Sequence, residues 1–155
     1  MKNKVIKLGV FGSRTLNDRK STEFIEYQIK EFMASHKISH LIVPGDIKGA
    51  CEVAIDVARE TQVPIMLFFY NKGTSKGRWK MINSIQKRTK HIVDTADFFL
   101  VFHDGKSKGT MWDLKQIIKA GKPYKYIKVK VKKQDEMDIV DIDVIDIEEV
   151  HKEGL

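Results

Sequence analysis

Two patterns of apolar residues follow each other along the first 123 residues, and they predict strands and helices in turn. Short, continuous apolar runs are typical of buried strands, and they occupy Lys4–Phe11, Leu41–Val43, Pro64–Phe69 and Phe98–Phe102. Apolar residues that recur every three or four positions predict helices, and they occupy Ser21–Ser35, Gly49–Thr61, Trp79 to about Thr95, and Gly109–Ala120. We therefore expect βαβ units, and with them a Rossmann-like three-layer α/β fold whose sheet is mostly parallel.

The pattern changes after Pro123, where apolar residues alternate strictly with charged ones. Tyr126–Lys132 alternates with Lys, and Asp138–Ile147 alternates with Asp apart from one slip at Ile139-Val140. Two such segments predict an antiparallel hairpin with lysines opposite aspartates. We interpret residues 1–123 as the Rossmann-like unit and residues 124–155 as a C-terminal β-hairpin extension of the same domain. The hairpin either extends the sheet or forms a contact in a dimer.

Length, charge and cysteine content limit the class of protein. The 155 residues fit one domain, and no apolar run approaches the ~20 residues that cross a bilayer, so no membrane partner is expected. The N-terminal residues resemble a first strand rather than a signal peptide. The single cysteine, Cys51, cannot form an internal disulfide. We therefore expect a cytoplasmic protein. Residues 134–155 hold nine acidic residues and one basic residue, which leaves residues 1–133 at +15 within a chain of net charge +7. This excess indicates an anionic partner, or lysine used as a general solubiliser.

Three loops that follow predicted strands carry glycine together with a hydroxyl or a cation. They contain the candidate ligand-binding residues Gly12, Ser13, Arg14, Gly45, Asp46, Gly49, Asp104, Ser107, Gly109 and Thr110. In an open parallel sheet, ligands lie beyond the carboxyl ends of the strands. Glycine lets the backbone approach a phosphate, and the start of the following helix offers free N–H groups. These residues are also ordinary turn formers, but three such loops at one sheet edge favour a phosphate site.

Other known site patterns do not fit. Position 100 is Leu where a P-loop ending in Gly105-Lys106-Ser107 needs glycine, and Gly9 and Gly12 do not complete a dinucleotide-binding motif. No cluster resembles a metal site, and neither a metal nor a cofactor is expected. Cys51 stands at a predicted helix start, where it is a small packed residue or a thiol of lowered pKa.

The order of several of these motifs resembles the SLOG superfamily, and in particular its small, stand-alone YspA-like branch. The similarity covers about residues 5–127, and its most specific part is Asp104-Gly105-x-Ser107-x-Gly109-Thr110. The resemblance implies a Rossmann-like fold that binds nucleotides or their ribose-phosphate derivatives, often as a homodimer. The superfamily also contains the Lonely Guy phosphoribohydrolases and the DNA-processing protein DprA. This chain departs from the usual pattern at Asp46, Cys51 and Thr89, where ligand identity would be set.

Three functions follow as alternatives. The resemblance to the Lonely Guy enzymes places Arg88 and Asp113 at the positions of their catalytic arginine and glutamate, which implies cleavage of an N-glycosidic bond. Asp113 is one methylene shorter than glutamate, and an acid at a helix start is also favoured by the helix dipole alone. The second alternative is a non-catalytic module that senses or sequesters a nucleotide signal, which the changed motifs favour. The third is single-stranded nucleic-acid binding through the basic segment Lys76–Lys90 and Trp79, which leaves the glycine loops unexplained.

Overall fold

The structure is a computed structural model that describes residues 4–45, 48–70, 77–134 and 137–145. Side chains are described through Val129, apart from those of residues 78–80. Strands and helices alternate as far as the last helix, and two strands complete the chain. The elements are β1 (Val5–Gly12), α1 (Arg19–Ser35), β2 (Lys37–Pro44), α2 (Ala50–Glu60), β3 (Ile65–Phe68), α3 (Arg78–Thr95), β4 (Phe98–His103), α4 (Lys108–Lys119), β5 (Tyr124–Gln134) and β6 (Met137–Ile145).

The strands form one sheet in the order β3-β2-β1-β4-β5-β6. The first five strands of the chain are parallel to their neighbours, and β6 pairs with β5 in the antiparallel sense. The chain adds strands outward from β1 in one direction and then, from β4 on, in the other. The carboxyl ends of β1 and β4 therefore meet at the point where the strand order reverses, which is where open α/β sheets bind ligands.

Two helices cover each face of the sheet. On one face, α1 and α2 bury Ile25, Ile29 and Ala54 against strand residues such as Leu8. On the other face, α3 and α4 pack against a second cluster of buried side chains, which contains Ile92, Ile117, Phe11, Phe99 and Val101. Burying both faces of the sheet explains the continuous apolar runs of the central strands. The three-layer, Rossmann-like α/β fold expected from the sequence is confirmed.

The hairpin forms, and its first strand belongs to the main sheet. β5 pairs in parallel with β4, with Tyr124 opposite Phe99, so the strand begins two residues before the predicted Tyr126. In the antiparallel pair with β6, Lys128 lies opposite Asp143 and Lys130 opposite Asp141. The slip in the sequence pattern falls where Val131 pairs with Val140. The hairpin therefore extends the sheet.

Helix α1 and strand β2 also start earlier than the sequence pattern predicts, and both differences have local causes. Helix α1 starts at Arg19 because the Asp18 carboxylate accepts a hydrogen bond from the Ser21 amide, 3.0 Å away, and caps the helix. Strand β2 starts at Lys37, although Ser39 and His40 interrupt the apolar run, because it pairs with β1 from its first residue.

Among the helices in the described residues, none combines the length and apolar character that a membrane span requires.

Candidate functional site

A cavity of about 590 Å³ opens at the carboxyl edge of the sheet, beside the ends of β1 and β4. This volume lies within the range of small-molecule sites. The end of β1 and the loop after it line the cavity through Phe11–Thr15, and the start of α4 lines it through Ser107–Thr110. The cavity therefore occupies the position at which the sheet topology places a ligand.

Two glycines let the loop after β1 lie directly against the start of α2. A Cβ on Gly12 would stand 2.3 Å from the Cβ of Ala50, and one on Gly49 would stand 2.4 Å from the Ser13 carbonyl oxygen. Gly49 also has a φ of +64°, which other residues rarely adopt. The close approach brings Ser13 and Arg14 beside the helix start. Gly49 does not itself line the cavity, so its role is packing.

Hydroxyl groups join the loop after β1 to the loop after β4. The Ser13 and Thr110 hydroxyl oxygens are 3.2 Å apart, and the Asp104 amide donates to the Ser13 oxygen at 3.1 Å. Ser13 is only 2% exposed, and its own amide donates to the Phe102 carbonyl at 3.0 Å. These bonds fix two strand ends that are far apart in sequence, and both hydroxyl-bearing residues line the cavity.

Asp104 organises the loop before α4 rather than lining the cavity. Its carboxylate accepts hydrogen bonds from the Thr15 hydroxyl, the Lys106 amide, and both the amide and the hydroxyl of Ser107, at 2.6 to 2.8 Å. Burial alone would raise the pKa of Asp104, but these donors outweigh it and hold the pKa well below its ordinary value. Asp104 therefore stays ionised and keeps the loop in one conformation.

A buried histidine holds the same loop from its other side, and sequence reasoning did not identify it. His103 Nε2 lies 3.0 Å from the Ser107 carbonyl oxygen, and its Nδ1 lies 2.8 Å from the Tyr126 hydroxyl. Since a carbonyl only accepts, Nε2 carries a hydrogen. The one sequence signal for this role is a polar residue that ends the apolar run of β4.

The helices that reach the cavity begin without a capping side chain. The N-cap residue of α2 is Gly49, which has no side chain to accept a hydrogen bond from a first-turn amide. The N-cap of α4 is Ser107, whose hydroxyl donates to Asp104 instead of capping the helix. By contrast, α1 starts outside the cavity lining and carries the Asp18 cap. Uncapped first-turn amides and the positive end of the helix dipole suit an anion.

Four cationic side chains line the cavity with a single acidic one. The cations are Arg14, Lys48, Arg88 and Lys108. Among the described lining residues, the only one with an acidic side chain is Asp113. Arg88 is 9% exposed, and its guanidinium carbon lies 5.3 Å from the centroid of the Tyr70 ring, a cation–π distance. A partly enclosed space with this charge balance attracts anions.

Asp113 lies half-buried where α3 and α4 meet. Its carboxylate accepts a hydrogen bond from the Thr89 hydroxyl at 3.1 Å. Burial raises the pKa of Asp113 to about 7, against the opposing effects of the Thr89 hydrogen bond and the Arg88 charge. The carboxyl can therefore hold or release a proton near neutral pH.

The remaining wall of the cavity is largely apolar. Phe11 and Pro44 contribute to it from the strand ends, and Ile82, Ile85 and Trp112 from the helices. Gln86 adds the only amide side chain among the described lining residues. The sequence prediction named none of these residues as site residues. For those on helices the reason is that the cavity-facing side of a helix has the same period as its core-facing side.

The sequence-predicted residues divide into three groups. The cavity brings together Gly12, Ser13, Arg14, Arg88, Ser107, Gly109, Thr110 and Asp113. Gly45, Gly49 and Asp104 pack behind it, with a Cβ on Gly45 falling 2.3 Å from the Phe69 ring. Asp46 lies outside the described residues, and Trp79 stands in the first turn of α3 with its side chain outside the described part.

The turn Gly121-Lys122-Pro123, which follows α4, has a structural role. The Lys122 ammonium donates to the Asp94 and Ala96 carbonyl oxygens at 2.9 and 2.7 Å, and so caps the end of α3. Among the described side chains, no group of three or more His, Cys, Asp or Glu residues could hold a metal ion.

No protein-family model matches this chain, and no curated protein matches it either. The SLOG resemblance therefore stays a prediction.

Proposed function

We propose that this chain binds a phosphate-bearing nucleotide, or a ligand derived from one, in the cavity at the carboxyl edge of the sheet. Bound there without turnover, the ligand would be sensed or sequestered. The observation that supports this proposal is the convergence of two uncapped helix starts and four cationic side chains on one cavity at the strand-order reversal.

The two ends of such a ligand have different needs, and the cavity offers both. A phosphate needs N–H donors and cations, and Arg14, Lys48 and the first turn of α4 supply them. A nucleoside needs apolar surface for the faces of its base, and Ile82, Ile85 and Trp112 supply it.

Isothermal titration calorimetry with AMP, ribose 5-phosphate and adenosine tests the proposal. We expect both phosphate compounds to bind and adenosine to bind at least tenfold more weakly, because a charge-assisted contact contributes roughly 1.5–3 kcal/mol. Arg14→Ala and Arg88→Ala should each weaken AMP binding about tenfold or more. Arg59→Ala is the matched control, since Arg59 is exposed in the last turn of α2 and does not line the cavity. Unchanged affinity in both arginine variants would show that the ligand binds elsewhere.

One observation favours a second candidate function, the hydrolysis of an N-glycosidic bond in a nucleoside monophosphate. Asp113 lines the cavity together with Arg88, and its pKa of about 7 suits an acid or base at neutral pH. In this reaction, Asp113 would take a proton from the attacking water. The water oxygen would bond to the anomeric carbon, and the bond from that carbon to the base would break. The departing base would take up the proton that Asp113 received, which restores the carboxylate.

Chromatography for free base distinguishes the two functions. If the protein hydrolyses AMP, the wild type releases adenine, while Asp113→Asn binds AMP and releases none. If the protein only binds, neither releases adenine, and Asp113→Asn binds AMP as well as the wild type or better, because a negative charge has left the site.

A further inference from the structure

The hydrogen bond between Thr89 and Asp113 fixes how α3 and α4 lie against each other. Both helices follow parallel strands of the same sheet and cover the same face, so they run in the same direction. One turn before Thr89 on α3 is Gln86. One turn before Asp113 on α4 is Gly109, so Gln86 and Gly109 lie opposite each other across the space between the helices.

Gly109 leaves that space open. A Cβ built on Gly109 would meet no atom within 4 Å, whereas one on Gly9 or Gly12 would collide with a neighbouring side chain. A side chain at position 109 would therefore clash with nothing, so the packing of the protein does not require glycine there. It widens the gap between α3 and α4 where both helices line the cavity.

Helices α3 and α4 contribute three apolar side chains to the cavity lining, Ile82, Ile85 and Trp112. They also contribute one neutral amide, Gln86, and the charged pair Arg88 and Asp113. All the lining cations except Arg88 come from the loops after β1 and β2 and from the start of α4. A glutamine amide presents a carbonyl acceptor and an N–H donor side by side, which matches the edge of a nucleobase, while the apolar side chains suit its faces.

We propose that the base of a bound nucleoside monophosphate lies in the gap between α3 and α4, and that Gln86 reads its edge and sets base specificity. The inference rests on the proposed nucleotide binding and adds the place and the means of base selection. The phosphate then lies at the cationic loops, and Gly109 separates the two parts of the site.

The test compares the Kd values of AMP, GMP, CMP, UMP and ribose 5-phosphate for the wild type and Gln86→Met. We expect the wild type to bind one nucleotide about tenfold more tightly than the least favoured one. Gln86→Met has a similar size but no amide, and it should bring the four nucleotides within about twofold of one another while leaving the Kd of ribose 5-phosphate unchanged. Gln116→Met is the matched control, because Gln116 is a half-buried glutamine of α4 that does not line the cavity.

A second variant, Gln86→Glu, guards against a loss of packing in the first. It keeps the size and the carbonyl oxygen but replaces the NH2 donor with a second, negatively charged oxygen acceptor, so it should change the order of preference among the four bases. If the wild type binds ribose 5-phosphate but does not discriminate among the bases, or if both variants keep its order of preference, the assignment of Gln86 is wrong. If neither ribose 5-phosphate nor any nucleotide binds the wild type, the proposed function itself is wrong.

Discussion

Asp113 makes the folded protein sensitive to pH in the direction opposite to that of a typical aspartate. Burial raises its pKa from 3.8 to about 7. Each unit of pKa corresponds to about 1.36 kcal/mol, so the full shift would make the ionised carboxyl cost about 4 kcal/mol. Asp113 is half-buried, and contact with water relieves part of this, so we expect a cost of about 2–4 kcal/mol.

The sign follows from proton binding. The folded state holds the Asp113 proton more tightly than the unfolded state, so its contribution to stability is complete below about pH 4 and is lost as the pH rises to about 7. Asp113→Asn keeps the size and the acceptor for Thr89 but cannot ionise. The variant should match the wild type near pH 4 and exceed it by about 2–4 kcal/mol at pH 8, a rise in Tm on the order of 5–10 °C.

Chemical denaturation of both proteins at several pH values between 4 and 8 measures this difference. Asp56→Asn is the neutral control, because Asp56 is exposed on α2. Asp104→Asn should be less stable than the wild type throughout this range, because the lowered pKa of Asp104 stabilises the fold; only measurements below about pH 4 should show this difference shrinking. An Asp113→Asn variant that is less stable than the wild type at pH 8, or whose difference does not vary with pH, would refute the reasoning.

Three further predictions concern the framework of the site. Gly49→Ala forces a Cβ to 2.4 Å from the Ser13 carbonyl oxygen at a φ of +64°, and should lower the free energy of unfolding by about 2–4 kcal/mol in urea denaturation. Lys122→Met removes two hydrogen bonds at the end of α3, and should cost about 1–2 kcal/mol and speed amide hydrogen exchange near Ala96. Deleting residues 134–155 removes β6 and bares the edge of β5, so light scattering should detect aggregation; a soluble, equally stable product would contradict this.

The alternation of strands and helices could be predicted from the sequence because burial gives strands and helices different patterns of apolar residues. Central strands covered on both faces are continuously apolar, as at Phe98–Phe102, and this signal needs no knowledge of the neighbouring strands. The start of β2 was missed because its polar residues are held by pairing with β1, and pairing leaves no trace in the sequence of one strand.

The site could be predicted only in part, for a similar reason. The glycine and hydroxyl residues of the loops after β1 and β4 identified these loops as candidate site loops, and Ser13 and Thr110 do line the cavity. The sequence could not separate residues that line it from those that hold it together. Asp104 belongs to the second group because Thr15, 89 positions away, donates to it. Gln86 was missed because its position on α3 follows the ordinary helical period.

The bond between Ser13 and Thr110 joins residues 97 positions apart, and this has a consequence for how the protein is made. During synthesis, the loop after β1 emerges early and can pack against the start of α2, but the Ser13 hydroxyl has no Thr110 partner until α4 has been translated and β4 has docked beside β1. Closing so long a loop carries a large entropic cost that only the completed sheet repays. Incomplete chains therefore lack the cavity. A ligand that engages both loops binds only after β1, β4 and α4 have come together, so its binding reports that this part of the sheet has assembled.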